Sequence, residues 1–254
     1  MPGSGETRMS PPPDSSRLRI LPMFAALQEH ELREIANGLH PVQWPKRLQV
    51  MPAADTAERF YLLLRGRVRV EAEHPVTARI ITLYLLRPGD GHNIITLLDG
   101  KPHQVIAETL DETEVVSAPL NRWHAWMHRY PMLRQSMMLA AAARLRELAE
   151  LAEDLALHET SARLAHLLLR HIETDDGPHG LLHGLVHDDI ARLIGSVRVV
   201  VNRLLNRFKH EGIIQTAAGH IQVVDLERLL HKAESHLEPH EPEPPRSGAG
   251  KTIH

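Results

Sequence analysis

The spacing of apolar residues changes twice along the chain, and the changes divide it into three parts. Residues 21–40, LPMFAALQEHELREIANGLH, read as a short helical entry. After that the period is two. RFYLLLRGRVRVEAEH holds two apolar-rich runs around Arg65-Gly66, where glycine can take the positive φ of a tight turn. In the second run Val68 and Val70 alternate with Arg67, Arg69 and Glu71. ARIITLYLLRPGD supplies another strand, ended by Pro88-Gly89-Asp90, and HQVIAETLDETEVVSAP supplies two more. Short strands with turn signals and no intervening helices predict an antiparallel sandwich or roll.

From about Tyr130 the spacing becomes helical. Met138, Ala141, Leu145, Leu148, Ala152 and Leu155 step by threes and fours, an a/d seam flanked by Arg144, Arg146, Glu147, Glu150 and Glu153. A lone helix cannot bury such a seam, so it must meet the sheet, another helix of this chain, or its own copy.

Residues 160–233 read as a separate compact unit. Ser161 is placed to cap a helix with Leu164, Leu167, Leu168 and Ile172 inward, and ETDDGPHG follows as a loop. His187-Asp188-Asp189 opens a short helix, with acids in the first turn where the helix dipole favours them. Gly195 breaks it and Ser196 is the expected cap of the next helix. EGIIQTAAGHIQVVD reads as a hairpin and LERLLHKAE as a closing helix.

The segment GSVRVVVNRLLNR contains a conflict. Val197, Val199, Val200 and Val201 favour a strand by local propensity, because branched side chains lose rotamer freedom in a helix. Yet Val201, Leu204, Leu205 and Phe208 recur at the spacing of one buried helical face. The helical cost of valine is only about half a kcal/mol per residue, so packing decides for the helix. Short helix, glycine-containing turn, second helix and hairpin make a winged helix-turn-helix. On the wheel Val197 joins the inward set, Arg198, Val199, Asn202 and Asn206 share another face, and Val200, Arg203 and Arg207 lie at a flank. These residues, with Ser196, are the candidate DNA-contacting set, since arginine presents a rigid fork of donors suited to guanine and phosphate.

Composition narrows the rest. The 254 residues are 43% hydrophobic and 24% charged, with a formal net charge of −3. That overall charge conceals a local basic stretch, Arg198, Arg203, Arg207 and Lys209, with no acid between residues 196 and 210. Cysteine is absent, which excludes disulfides and thiolate-held metals or clusters. No apolar run is long enough to span a bilayer, and MPGSGETRMSPPP lacks a signal-peptide core, so a cytoplasmic protein is expected. No paired carboxylates, phosphate-cradling glycine loop or nucleophile motif suggests an enzyme. Most of the 19 histidines read as solvated surface. His179, His183 and His187 recur every four residues, but Pro178, Gly180 and Gly184 deny them a shared helical face.

Strand-rich roll, long helix and winged helix-turn-helix, in that order over residues 20–233, resemble the CRP/FNR family of bacterial transcription regulators. The motifs are YLLLRGRVRV and LRPGD in the roll, then DIARLIGSVRVVVNRLLNRFKHEGII. The resemblance implies an α+β fold: a cyclic-nucleotide-binding-like β-roll sensor domain at 18–133, a dimerisation helix at 134–159, and a winged helix-turn-helix at 160–233. Tails at 1–17 and 234–254 are expected to be disordered. It further implies a homodimer on double-stranded DNA, with RNA polymerase as another partner and no membrane. Arg198 and Arg203 stand where the family keeps its base- and backbone-contacting arginines, but Val197, Val199 and Val200 replace the Ser, acidic and Thr positions around the first. Valine cannot accept from cytosine or bond a phosphate; it can pack on a thymine methyl.

In cyclic-nucleotide-binding members a Glu near the G-D turn holds the ribose and an Arg-Ser/Thr pair holds the phosphate. Here Ile94 stands near the Glu position, and Lys101-Pro102 or His103-Gln104 falls at the pair. Asn93, Ile94, Ile95, Lys101, His103 and Gln104 are therefore the candidate ligand pocket, with cAMP binding not expected. The family's carbon-monoxide sensor suggests haem as an alternative cofactor and a gas-sensing regulator as an alternative function, with Pro2 and His92 as ligands. A third alternative is an interaction protein whose recognition helix no longer reads DNA.

Overall fold

The computed structural model describes residues 13–51, 58–103, 105–173, 182–217 and 220–234. Two four-stranded antiparallel sheets form the N-terminal half. One contains β1 (His40–Trp44), β3 (Arg59–Arg65), β6 (Gly91–His92) and β8 (Thr113–Pro119), in the order β1-β8-β3-β6. The other contains β2 (Gln49–Met51), β4 (Val68–Glu73), β5 (Ile80–Leu86) and β7 (Ile106–Thr109), in the order β2-β7-β4-β5. Gly66 has the expected positive φ of 85°, but the turn is no hairpin. β3 pairs with β6 and β8, whereas β4 pairs with β5 and β7, so the turn carries the chain from one sheet to the other. A Cβ at Gly66 would sit 2.7 Å from the Glu112 carbonyl oxygen, so the crossing has room for glycine alone.

Leu63, Val68, Val70, Leu86 and Val115 pack between the sheets. From the outer face of the first sheet, Phe60, Leu62, Val116 and Ala118 enter a second core. Helices α1 (Ser15–Arg19), α2 (Glu29–Gly38), α3 (Ile94–Asp99), α4 (Leu120–Arg129) and the start of α5 (Pro131–Leu157) cover that core. A strand buried on both faces wants apolar side chains at successive positions, which is why RFYLLLR shows no alternation.

Three of these helices depart from the sequence reading, which expected no helix between the strands: α3 stands between β6 and β7, where Ile94 and Leu97 turn into the core. Residues 13–17 are not a disordered tail: the Asp14 carboxylate accepts from the Ser16 N–H and starts α1, whose Leu18 is fully buried. α4 lies inside the segment read as the end of the roll, and it brings Trp123 and Trp126 into the core, with Trp123 stacked against Phe24 and edge-on to Phe60. α5 itself begins at Pro131, whose fixed φ suits a first helical turn. Its predicted seam divides between two environments. Ala141, Leu148 and Leu155 are half-buried against their own chain, while Met138 (57% exposed), Leu145 (69%) and Ala152 face solvent.

The C-terminal unit comprises α6 (Thr160–Glu173), α7 (His187–Leu193), α8 (Arg198–His210), β9 (Ile214–Ala217), β10 (His220–Val223) and α9 (Leu226–Ala233). Leu164, Leu168, Ile190, Val201, Leu205, Phe208 and Leu229 form its core, and β9 and β10 pair antiparallel as the expected hairpin. Ser161 is the second residue of α6 rather than its cap, and Ile172 is 42% exposed instead of inward.

The polar side of β4 is buried, not solvated, because α7 lies against it. Arg69 and Glu71 are each 1% exposed. Arg69 donates to Asp189 on α7 at 2.6 Å and to Glu108 at 3.1 Å, and its Nε lies 2.7 Å from Glu71. Arg47 adds a second bond to Asp189 at 2.8 Å, and Arg192 pairs with Glu71 at 3.4 Å. The two carboxylates respond oppositely. Burial pushes the Glu71 carboxyl up. Burial would also raise Asp189, but Arg47, the Val186 N–H and Arg69 outweigh it and hold Asp189 down at about 2.

A folded pKa of about 2 against an ordinary value of 3.8 means that Asp189 stabilises the fold above pH 4 and stops doing so as pH falls toward 2. The difference is worth roughly 2 kcal/mol. Urea melts from pH 5 to pH 2 should show that loss in the wild type relative to Asp189→Asn; parallel pH profiles would contradict the assignment.

Candidate nucleic-acid interface

α7 and α8 are joined by a turn at Gly195, φ 61°, a backbone that side chains rarely adopt. A Cβ there would meet Leu155 Cδ2 of α5 at 2.6 Å and Ile81 Cδ1 of β5 at 3.3 Å. The Gly195 carbonyl accepts from Arg79 at 2.8 Å. The turn therefore rests directly on the roll and the long helix.

Ser196 does not cap α8. Its N–H donates to the Ala191 carbonyl at 2.8 Å, and Val197 occupies the cap position with no side-chain bond. The first N–H groups of α8 thus keep no side-chain acceptor, which suits them to a phosphate oxygen. Val197 is 58% exposed rather than inward, because a capping residue precedes the helical face. The remaining inward set holds: Val201, Leu204, Leu205 and Phe208 are all buried.

The outer face carries Arg198, Val199, Arg203, Asn206 and Arg207, all exposed, with Val199 at 77%. Val200 is half-buried against the domain core. Asn202 is half-buried too, and its carbonyl oxygen contacts the His187 ring of α7, so it braces the two helices. Among the described residues, Arg198, Arg203, Arg207 and Lys209 make no ion pair. A helix with an apolar inner face and four unpaired cations outside can dock on a polyanion without first breaking internal bridges.

The candidate ligand residues are less concentrated. Asn93 adopts a left-handed backbone with φ 76° and donates to the Arg59 carbonyl at 3.0 Å. Ile94 is 5% exposed in the helix-covered core, and Ile95 packs beside it. Lys101 is exposed, with its N–H donating to Asp99 and its carbonyl accepting from Thr96, each at 2.9 Å. His103 is half-buried, and burial lowers its pKa. Gln104 lies outside the described residues.

His92 is buried, and desolvation holds its pKa at about 4. Neither ring nitrogen has a hydrogen-bond partner among the described residues or reaches measurable solvent. A haem ligand needs an open slot at the coordinating nitrogen, and the His92 ring as placed has none, so His92 does not fit haem. Pro2 and His179 lie outside the described residues.

The functional residues missed in sequence are those of the domain contact, Arg47, Arg69, Glu71 and Asp189. Alternation made the β4 pair look solvated, and no local signal linked them to an acid 120 positions away.

Known proteins share this architecture. The Crp-like helix-turn-helix domain family matches residues 162–232. The chain is 30% identical over 183 residues to the transcriptional regulator SdrP of Thermus thermophilus, covering 70% of this chain and 85% of that protein. It is 25% identical over 215 residues to the CRP-like cAMP-activated global transcriptional regulator of Mycobacterium tuberculosis, covering 83% and 96%. A solved CRP/FNR family transcriptional regulator of Thermus thermophilus superposes with a TM-score of 0.61 at 27% identity, covering 77% of this chain and 98% of that one. With the helix-turn-helix and its basic outer face in the matched region, the chain belongs to the CRP/FNR family of DNA-binding transcription regulators.

Proposed function

We propose that the protein acts as a homodimer that reads an inverted-repeat DNA site through α8, with a roll that does not answer to cAMP. The observation that carries the DNA reading is the outer face of α8, where Arg198, Val199, Arg203 and Arg207 are exposed and the arginines make no ion pair among the described residues. Arg198, in the first turn, is the base reader, and its fork fits the O6 and N7 edge of guanine. Arg203 and Arg207 bind phosphate, as do the first N–H groups of the helix. Val199 and exposed Val197 offer apolar contact to thymine methyls in place of the acceptor that would select cytosine.

Dimerisation is supported by the solvent face of α5, where Met138, Leu145 and Ala152 recur every seven residues and are exposed among the described residues. A two-fold axis along that face would present two copies of α8 to successive major grooves, about 34 Å apart. RNA polymerase is the further partner that family membership suggests. The Mycobacterium relative is named for cAMP activation. In this chain the candidate loop offers Ile94 to the core and exposed Lys101, with no arginine to hold a cyclic phosphate.

Selection of random duplexes by the purified protein should enrich one inverted repeat; enrichment of none would leave an interaction protein with a lapsed reading helix. Within the selected site, Arg198→Ala should cost about 1–3 kcal/mol and relax one base pair per half-site. Arg203→Ala should weaken all duplexes alike and lower the salt slope by about one. Val199→Glu should move the preference toward cytosine, and an unchanged motif would remove Val199 from the base-reading face. Leu145→Glu should convert the dimer to monomer in sedimentation velocity and abolish repeat-specific binding. Calorimetry with cAMP should register no binding; a stoichiometric micromolar isotherm would overturn the ligand reading.

A further inference from the structure

Three side chains meet where α5 gives way to α6. Asp154 is on the last turn of α5 and is 8% exposed, His158 is the residue that ends the helix, and His166 lies two turns into α6. One ligating atom from each lies within 4.8 Å of the others. His166 Nδ1 is 2.7 Å from Asp154 Oδ1, and the two imidazoles stand edge to face with centroids 4.7 Å apart. The group opens into a hollow of about 270 Å³ also lined by Glu150 and Glu153. The opposing charges are Arg170, which donates to the other Asp154 oxygen at 3.2 Å, and Arg163, whose charge also acts on Asp154.

We propose that Asp154, His158 and His166 bind a divalent transition metal, zinc above all, and that the bound ion fixes the angle between α5 and α6. Two imidazoles and a carboxylate are borderline ligands that suit zinc and exclude the all-oxygen preference of magnesium and calcium. Metal–ligand lengths of about 2.0–2.2 Å place tetrahedral ligand atoms about 3.4 Å apart. Side-chain torsions reach that spacing from the present one: the His166–Asp154 pair opens slightly and His158 moves in. Arg170 keeps the second Asp154 oxygen and orients the carboxylate from outside the coordination sphere. Water, or Glu150 one turn earlier on α5, completes the fourth position.

The location gives the ion a regulatory role. Only His158 and Glu159 separate the two helices, and His158 is extended, with φ −113° and ψ 139°. Any rotation of the C-terminal unit against α5 would have to pass through these two residues. A metal held by ligands on both sides selects one setting of that link. This regulatory part rests on α8 reading DNA as proposed above; the metal site itself does not.

The full chain, stripped with a chelator, is titrated with ZnCl2 against a chromophoric competitor. The expected result is one tight zinc per chain, weakened by about 100-fold or more in His166→Gln and in Asp154→Asn. Unchanged affinity and stoichiometry in both variants would overturn the site and assign the zinc to surface histidines. His166→Gln retains a hydrogen-bonding partner for Asp154; if either variant fails to fold, Co²⁺ on the wild type decides. Tetrahedral absorption bands with two nitrogen ligands by X-ray absorption support the site, and an octahedral all-oxygen ion refutes it. Zinc should also change the affinity of the wild type for its selected duplex several-fold, and leave His166→Gln unaffected. Tight zinc with no change in duplex affinity would refute the regulatory role alone, whereas failure of the DNA reading would show in the duplex selection, with zinc binding intact.

Discussion

Arg69 is the point on which the arrangement of the two halves depends. Its guanidinium, 1% exposed, sits among Glu71, Glu108 and Asp189, two carboxylates from the roll and one from α7. Taking such charges out of water is costly, and the mutual attraction offsets that cost only when the geometry is kept. The network is therefore better understood as a specification of docking than as a source of stability. Sliding α7 along β4 by one residue would leave buried acids without a cation. An apolar contact of the same area would tolerate many registers.

From that docking the position of α8 follows. With α7 fixed to β4 and β5, the Gly195 turn lies against Ile81, Arg79 and Leu155, so roll, long helix and α8 share one small contact. α5 is tied to the roll independently. Arg144, nearly buried, lies 4.1 Å from the centre of the Tyr84 ring, pairs with Glu147 and approaches Asp90 at 3.8 Å. A change in the roll can reach α8 by either route, and neither needs a long chain of intermediates.

The helix-turn-helix was legible in sequence because its signals are local and agree with one another: a buried face at helical spacing, acids opening α7, a glycine in the turn, a hairpin after it. The valine run was legible because the cost of branching is small beside packing. Ser196 misled for a related reason. A serine before a helix is a good cap only if the helix begins at the next residue, and here the turn draws its N–H back to Ala191 and moves the start by one. The roll was legible as strands and not as a topology, since turn residues at Arg65-Gly66 cannot say which sheet the next strand joins. The buried ion network was illegible because period-two alternation reports which face is polar, never what covers it. Trp123, Trp126 and Met127 did carry the signal of α4, but proline and tyrosine at the following helix start drew the boundary there.

The strand order has a consequence for synthesis. β8 stands at the middle of its sheet, with β1 on one side and β3 on the other, so His40 pairs with Ser117 and Phe60 with Ala118. While the ribosome is still adding the strands between, β1 has no neighbour to zip onto and β3 has only the two-residue β6, so most of their edges wait unpaired. The first sheet closes only after Pro119 has left the exit tunnel. A nascent chain arrested before β8 is accordingly the aggregation-prone form of this protein, and a premature stop in that region leaves the first sheet without its central strand, not merely one strand short.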